Sequence, residues 1–179
     1  MMNPDFDTIS YLASGTPRQK QAYEVLIKHS IPEKLKSYTP ILVGTIPINI
    51  DIEGSDLDVI CEYQNKAQFT GHLQAHFSSL PEFELTEVTV NGQETILANF
   101  MADGFEIEIF GQPVPVKLQY GYRHMIVEHE LLQRKGEAFR QEIISLKKQG
   151  YKTEPAFAKA LGLTGNPYEE LLRVDAKQF

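Results

Sequence analysis

Asp56-Leu57-Asp58 is the stretch of this sequence whose residue types and spacing best suit chemistry. Side chains on a strand alternate between faces, so Asp56 and Asp58 share one face. Leu57, Val59, Cys61 and Tyr63 share the other, which is a core face. Strand geometry puts the two carboxylates ~6–7 Å apart at the backbone. So placed, they repel, and one tends to keep its proton. A divalent ion removes the conflict. Magnesium favours oxygen donors and commonly takes one or two carboxylates plus substrate phosphates. The pair is therefore unfavourable alone and favourable with metal and phosphate.

A second acidic strand follows in Phe105-Glu106-Ile107-Glu108-Ile109-Phe110, where Glu106 and Glu108 share one face and the apolar residues the other. Either glutamate could complete a three-carboxylate cage in which two acids bridge the ions and the third takes a proton from an attacking hydroxyl. Parity does not choose between Glu106 and Glu108. Gly44-Thr45 precedes the acidic pair; glycine lets backbone approach a phosphate closely, and successive N–H groups with a threonine hydroxyl can donate to it. Taken singly, each of these patterns also describes an ordinary sheet edge facing water. Their combination carries the reading: a glycine at a strand end, a loop, Ser55-Asp56-Leu57-Asp58, then another acidic strand.

The elements that must hold these groups are legible in outline. Thr16-Pro17 starts a helix with a hydroxyl cap and a proline at its first position. Ile41-Leu42-Val43 reads as a buried strand and 45–54 as a loop. Strands are predicted over 56–63, 83–90, 95–101 and 105–110, with the turn signal Asn91-Gly92 joining the middle pair. A helix is predicted over 66–77. From Leu118 the signal turns helical: one helix to about Lys135, another from Glu137 to about Lys148, and a last pair split by Gly165-Asn166-Pro167. The expected class is α+β, a mixed sheet flanked by helices with a helical C-terminal tail, divided as 1–116 for the α/β core and 117–179 for the helical part packed on it.

In the helix after the sheet, Leu118, Tyr122, Met125, His129 and Leu132 form a stripe expected to pack on the sheet. Arg123 points away from that stripe and is the candidate for holding a phosphate, since its fork matches phosphate geometry. His124 and Glu128 lie one turn apart and could pair with each other. Lys147-Lys148 reads as a solvated helix face.

The charge is −7 over 179 residues, and no stretch forms the basic face that a grip on phosphate backbones needs. Long nucleic acid is a poor partner for such a chain. No apolar run is long enough to span a bilayer. The N-terminus lacks the basic-then-apolar pattern of a secretory signal, and the single cysteine, Cys61, leaves no internal disulfide. A cytoplasmic location is the expectation.

Gly44-Thr45, Asp56-Leu57-Asp58 and a third acid at Glu106 or Glu108 resemble the signature of the DNA polymerase β-type nucleotidyltransferase superfamily. More narrowly, Gly44-Thr45-Ile46-Pro47, Ser55-Asp56-Leu57-Asp58, Glu108-Ile109-Phe110-Gly111-Gln112 and Tyr122-Arg123-His124-Met125 resemble a bacterial domain family of unknown function placed within it. The resemblance implies a nucleotidyltransferase-like fold. It implies transfer of a nucleoside monophosphate from a nucleoside triphosphate to a hydroxyl of a small molecule or protein, with Mg2+ (or Mn2+). Asp56, Asp58 and Glu108 would then be catalytic and metal-binding, with Glu106 the alternative third acid. Gly44, Thr45, Ser55 and Arg123 would meet the nucleotide. Two departures stand out: Thr45 replaces the usual serine or glycine, and 46–54 has no basic residue where many active members carry an arginine. They favour a second expectation, a non-catalytic nucleotide-binding or interaction module of the same fold. Metal-assisted hydrolysis of a phosphate ester would use the same parts with water as nucleophile.

Overall fold

The structure, a computed structural model, describes residues 4–174. Thr16 caps α1 (Pro17–Lys28) reciprocally: its hydroxyl accepts from the Gln19 amide and the Gln19 side chain accepts from the Thr16 amide. A short α2 (Ile31–Leu35) leads to β1 (Ile41–Val43). After the expected loop come β2 (Leu57–Glu62), α3 (Lys66–Phe77), β3 (Glu84–Val90), β4 (Gln93–Ala102) and β5 (Phe105–Gln112). Then follow α4 (Tyr120–Lys148), α5 (Thr153–Leu161) and α6 (Pro167–Arg173).

The five strands form one mixed sheet in the order β1-β2-β5-β4-β3. Only β2 and β5 run parallel; the other neighbours are antiparallel. Leu57, Val59 and Cys61 from β2 with Ile107 and Ile109 from β5 build one core under α1 and α3. Ile41, Val43 and Ile60 face the other way and pack under α4, α5 and α6, with Met125, Leu132, Phe157 and Leu171. The sheet is thus covered on both faces along β1 and β2. Alternation carries Asp58 and Glu108 to the α4 side.

Boundaries differ from expectation for local reasons. β4 extends at both ends because Asn91 and Gly92, both at positive φ, make a tight two-residue turn that lets pairing run from Val90↔Gln93 to Glu84↔Asn99. β5 continues through Gly111-Gln112, paired to Cys61-Glu62. Gly111 permits this: a Cβ there would lie 2.1 Å from Phe69 Cε1. The two helices expected around 135–137 form one element broken at Gly136, φ 77° and ψ −167°. Leu118, expected in the packing stripe, sits in a turn before α4 and is 63% exposed. Among the described residues no helix is long and apolar enough to cross a membrane.

Two glycines should respond oppositely to alanine. Gly111→Ala meets the fully buried Phe69 ring and is expected to cost about 1–3 kcal/mol as overpacking. Gly71→Ala, in α3 with nothing near its added methyl, is expected to gain about 0.5–1 kcal/mol. Urea denaturation of both variants checks the pair; equal effects would contradict the packing account.

Candidate functional site

Asp58 and Glu108 stand directly opposite each other in the parallel β2–β5 pairing. Asp56 lies two residues before Asp58, exposed at the mouth of β2. All three line a cavity of about 720 Å³ between the sheet and α4–α6, together with Gly44, Thr45 and Ser55. Glu106 does not line it. It is exposed, nearer the start of β5 and opposite Met101. Glu108 is further fixed by Asn99, its register partner on β4, whose amide donates to Oε2 at 3.2 Å. Among the described residues no three His, Cys, Asp or Glu side chains form a closed metal cage; the three acids share one wall as separate carboxylates.

Burial first, and the neighbouring acids after it, act on two of these carboxyls. The Asp58 carboxyl is pushed up from 3.8 to about 8, first by burial, then by Asp56, Glu108, Glu106 and Glu154. Glu108 is also raised, mainly by burial, with the Asn99 hydrogen bond opposing and Asp56 and Glu106 adding.

Gly44 has a role the sequence did not disclose. Val43 pairs with Asp58, so the next residue packs against that carboxylate. At φ +87°, a Cβ on Gly44 would lie 2.6 Å from Asp58 Oδ2. The close approach that requires glycine here is to Asp58. Ser55 builds the turn before the acidic pair: its hydroxyl accepts from the Ile52 amide at 2.9 Å and its own amide donates to Ile52 O at 3.0 Å. The loop between β1 and β2 is tied down carbonyl by carbonyl. Gln19 donates to Ile46 O and Pro47 O, Arg140 to Ile48 O and Asn49 O, and Lys147 to Ile50 O at 2.8 Å.

Three readings on α4, covering four residues, differ from expectation. Lys147 is buried at 7% exposure and lines the cavity, whereas only Lys148 is the solvated lysine expected of both. Burial lowers the Lys147 pKa, against the opposing pull of Glu128, Asp51, Asp56 and Glu154. Arg123 is exposed and does not line the cavity; its guanidinium lies 5.7 Å from the Tyr120 ring centroid. Helix geometry supplies the reason. Gly121, His124, Met125 and Glu128 face the cavity, and Arg123 lies about 160° round the helix from Met125 at 3.6 residues per turn. Pointing away from the packing stripe means pointing into solvent. Third, His124 and Glu128 do not pair with each other by hydrogen bonding. His124 is buried with Nε2 2.8 Å from Tyr168 O, and its Nδ1 lies 3.6 Å from Glu154. Lys147, Glu128, Glu154 and Tyr168 all line the cavity. None was singled out as a site residue by sequence, because no local spacing marks them.

Solved structures share this architecture. The Cid1 poly(U) polymerase in its MgGTP-bound form aligns with a TM-score of 0.55 at 10% identity, over 79% of this chain and 48% of that one. The GLD-2/RNP-8 complex aligns at 0.55 and 11%, over 86% and 61%. The polymerase core of TRAMP, an RNA surveillance complex, aligns at 0.51 and 14%, over 91% and 52%. This chain therefore spans about half to three fifths of the chains it resembles. At such identities the likeness defines the fold, that of polymerase β-type nucleotidyltransferases. Residues 24–174 match the model of DUF4269, a domain of unknown function, and the chain belongs to that family. No curated protein matches the sequence.

The electrostatics make a stability prediction. Between pH 3.8 and about 8 the folded metal-free protein holds a proton on Asp58 that the unfolded chain has lost. The native state then binds more protons, so this group's contribution to stability is full below that window and falls as pH rises through it. Melting of the metal-free protein from pH 5 to pH 9 should show that decline, and Asp58→Asn should make it shallower, with Glu108 and Glu128, whose carboxyls are also raised, supplying the remainder. A variant that follows the wild-type curve would show that Asp58 is not the group responsible.

Proposed function

We propose that the protein is a metal-dependent nucleotidyltransferase. It would move a nucleoside monophosphate from a nucleoside triphosphate to a hydroxyl of a small molecule or protein. The observation that carries the reading is the register pairing of Asp58 with Glu108 on the wall of a cavity that also takes in Asp56 and Gly44-Thr45. Carboxylates that oppose each other in a half-buried place are costly unless a cation joins them. An all-oxygen donor set suits magnesium or manganese. Asp56, Asp58 and Glu108 would hold the ion, with Glu106 the alternative third acid, and the ion would neutralise charge on the phosphates.

The chain's own groups take the remaining tasks. Glu108, held by Asn99 through Oε2, keeps Oε1 for the proton of the attacking hydroxyl. Gly44-Thr45 and Ser55 would meet the nucleotide at the cavity wall, on a loop whose carbonyls are already occupied. Lys147 supplies a positive charge inside the wall, and Arg123 is the second candidate cation, outside it. The fold shared with the MgGTP-bound Cid1 polymerase supports a triphosphate. The net charge of −7 favours a small acceptor over long nucleic acid.

Asp56→Asn tests the metal. The variant should melt no lower than wild type without metal, since repulsion is relieved. It should also lose the upward shift that magnesium and a nonhydrolysable triphosphate give wild type, which reaches about 2.7 kcal/mol at a hundredfold excess over Kd. A variant that melts far lower without metal would make Asp56 structural. Binding with no transfer in a turnover assay would favour the non-catalytic module.

The two cations are separable. Lys147→Gln retains a donor for Ile50 O while removing the charge, and should weaken triphosphate binding more than monophosphate binding. Arg123→Ala should change either by less. Calorimetric titration of both nucleotides checks this, and a larger loss for Arg123→Ala would restore the cation expected from sequence.

A further inference from the structure

The register that fixes Asp58 and Glu108 stops short of Asp56. Pairing of β2 with β5 begins at Leu57↔Ile107, so Asp56 stands just outside the ladder. Gly54 lies two residues before it, at φ +81° with open space where a Cβ would be. A glycine there leaves the backbone free to take other courses. The bonds of Ser55 to Ile52 hold the turn only to its own loop. A contact from outside the loop has to set where Asp56 stands.

Arg18 makes that contact. It lies in the first turn of α1, beside Gln19. Its Nη2 is 3.5 Å from Ser55 O, and its Cζ lies 3.7 Å from the centre of the Phe105 ring. Carried back two residues, the pairing of Leu57 with Ile107 would set Ser55 opposite Phe105. The ladder ends before that rung, and the guanidinium spans it instead, from the carbonyl just before one strand to the ring of the first residue of the other. Both ends of the span are anchored. Phe105 is buried and paired with Ala102 of β4. On the helix, Gln19 accepts from the Thr16 amide at 3.0 Å while donating to Ile46 O and Pro47 O. Arginine suits such a bridge, since its planar head stacks on an aromatic face while its edge keeps N–H groups free to donate.

We propose that Arg18 is a positioning residue: it holds Ser55, and through Ser55 it fixes Asp56 where that carboxylate shares a cation with Asp58 and Glu108. This rests on the metal-site part of the nucleotidyltransferase reading. Arg18 does not line the cavity, so it acts through Asp56 and touches neither ion nor nucleotide. Partners that orient a metal's ligands from behind commonly change its affinity by about 10–100-fold. Charge alone predicts the opposite sign. A guanidinium near a cation site repels the ion, so removing it would tighten binding.

The test is Mn2+ binding to the full chain, followed by water-proton relaxation with no nucleotide present. Wild type should bind the ion, and Asp56→Asn should bind it more weakly, through the remaining acids. Arg18→Met keeps an aliphatic stem over Phe105 and loses the donors. It should melt near wild type without metal and bind Mn2+ about tenfold more weakly. Arg18→Lys keeps the charge without the planar head and should fall between the two. In the Asp56→Asn background Arg18→Met should add no further loss, because the residue it positions is gone. Binding by Arg18→Met as tight as wild type, or tighter, overturns the proposal. So does an equal loss with and without Asp56, the mark of a general fold defect. If Arg18→Met does not fold, Arg18→Lys decides: a loss that vanishes in the Asp56→Asn background supports the brace, and unchanged binding overturns it. Mn2+ affinity untouched by Asp56→Asn would overturn the metal reading first, and the brace with it.

Discussion

Repulsion between carboxylates on adjacent strands is the constraint around which this molecule is arranged. The parallel pairing of β2 with β5 puts Asp58 opposite Glu108, and Asp56 adds a third negative group at the strand mouth. Burial makes the repulsion worse and forces Asp58 to keep a proton to about 8. The fold sustains this because the same strands bury Leu57, Val59, Ile107 and Ile109 on their opposite face. Apolar burial worth about 1.5–3 kcal/mol per large side chain can hold charged groups where they would not otherwise gather.

The surroundings hold the acids without neutralising them. Gly44 removes a side chain from the space beside Asp58 Oδ2. Asn99 engages one oxygen of Glu108. Gln19, Arg140 and Lys147 reach from two helices to satisfy the carbonyls of the β1–β2 loop, so its course past the cavity is set by long side chains from outside the loop. The 29 residues of α4 thus connect both ends of the site. Its first half supplies the cavity wall and its last turns hold the loop.

Much of this was legible because a strand's period of two is unforgiving. Leu57, Val59 and Cys61 had to share a face, so Asp58 had to take the other; Asp56 precedes the first residue of β2 and lines the same cavity. The same rule could not separate Glu106 from Glu108; of the two, Glu108 lines the cavity and Glu106 lies outside its lining. Helix periodicity was less decisive. It identified Met125, His129 and Leu132 as buried, yet it gave Arg123 only an angle away from the packed face. It could not show that the cavity lies between that face and solvent, where His124 and Glu128 point. Lys147 escaped because its burial depends on a loop nearly a hundred positions earlier in the chain, a contact that sequence spacing does not encode. For Gly44 the sequence pointed to the close approach of a phosphate, and the Val43–Asp58 pairing brings the Asp58 carboxylate against it instead.

The central claim is that the acidic strands exist to hold a cation against a triphosphate. Crystals grown with manganese and a nonhydrolysable nucleoside triphosphate test it most directly, through the anomalous signal of the ion. The account predicts a peak at coordination distance from Asp56 and Asp58, shared with phosphate oxygens and close to Glu108. A nucleotide bound elsewhere, or manganese in the crystal with no peak beside these carboxylates, would contradict it.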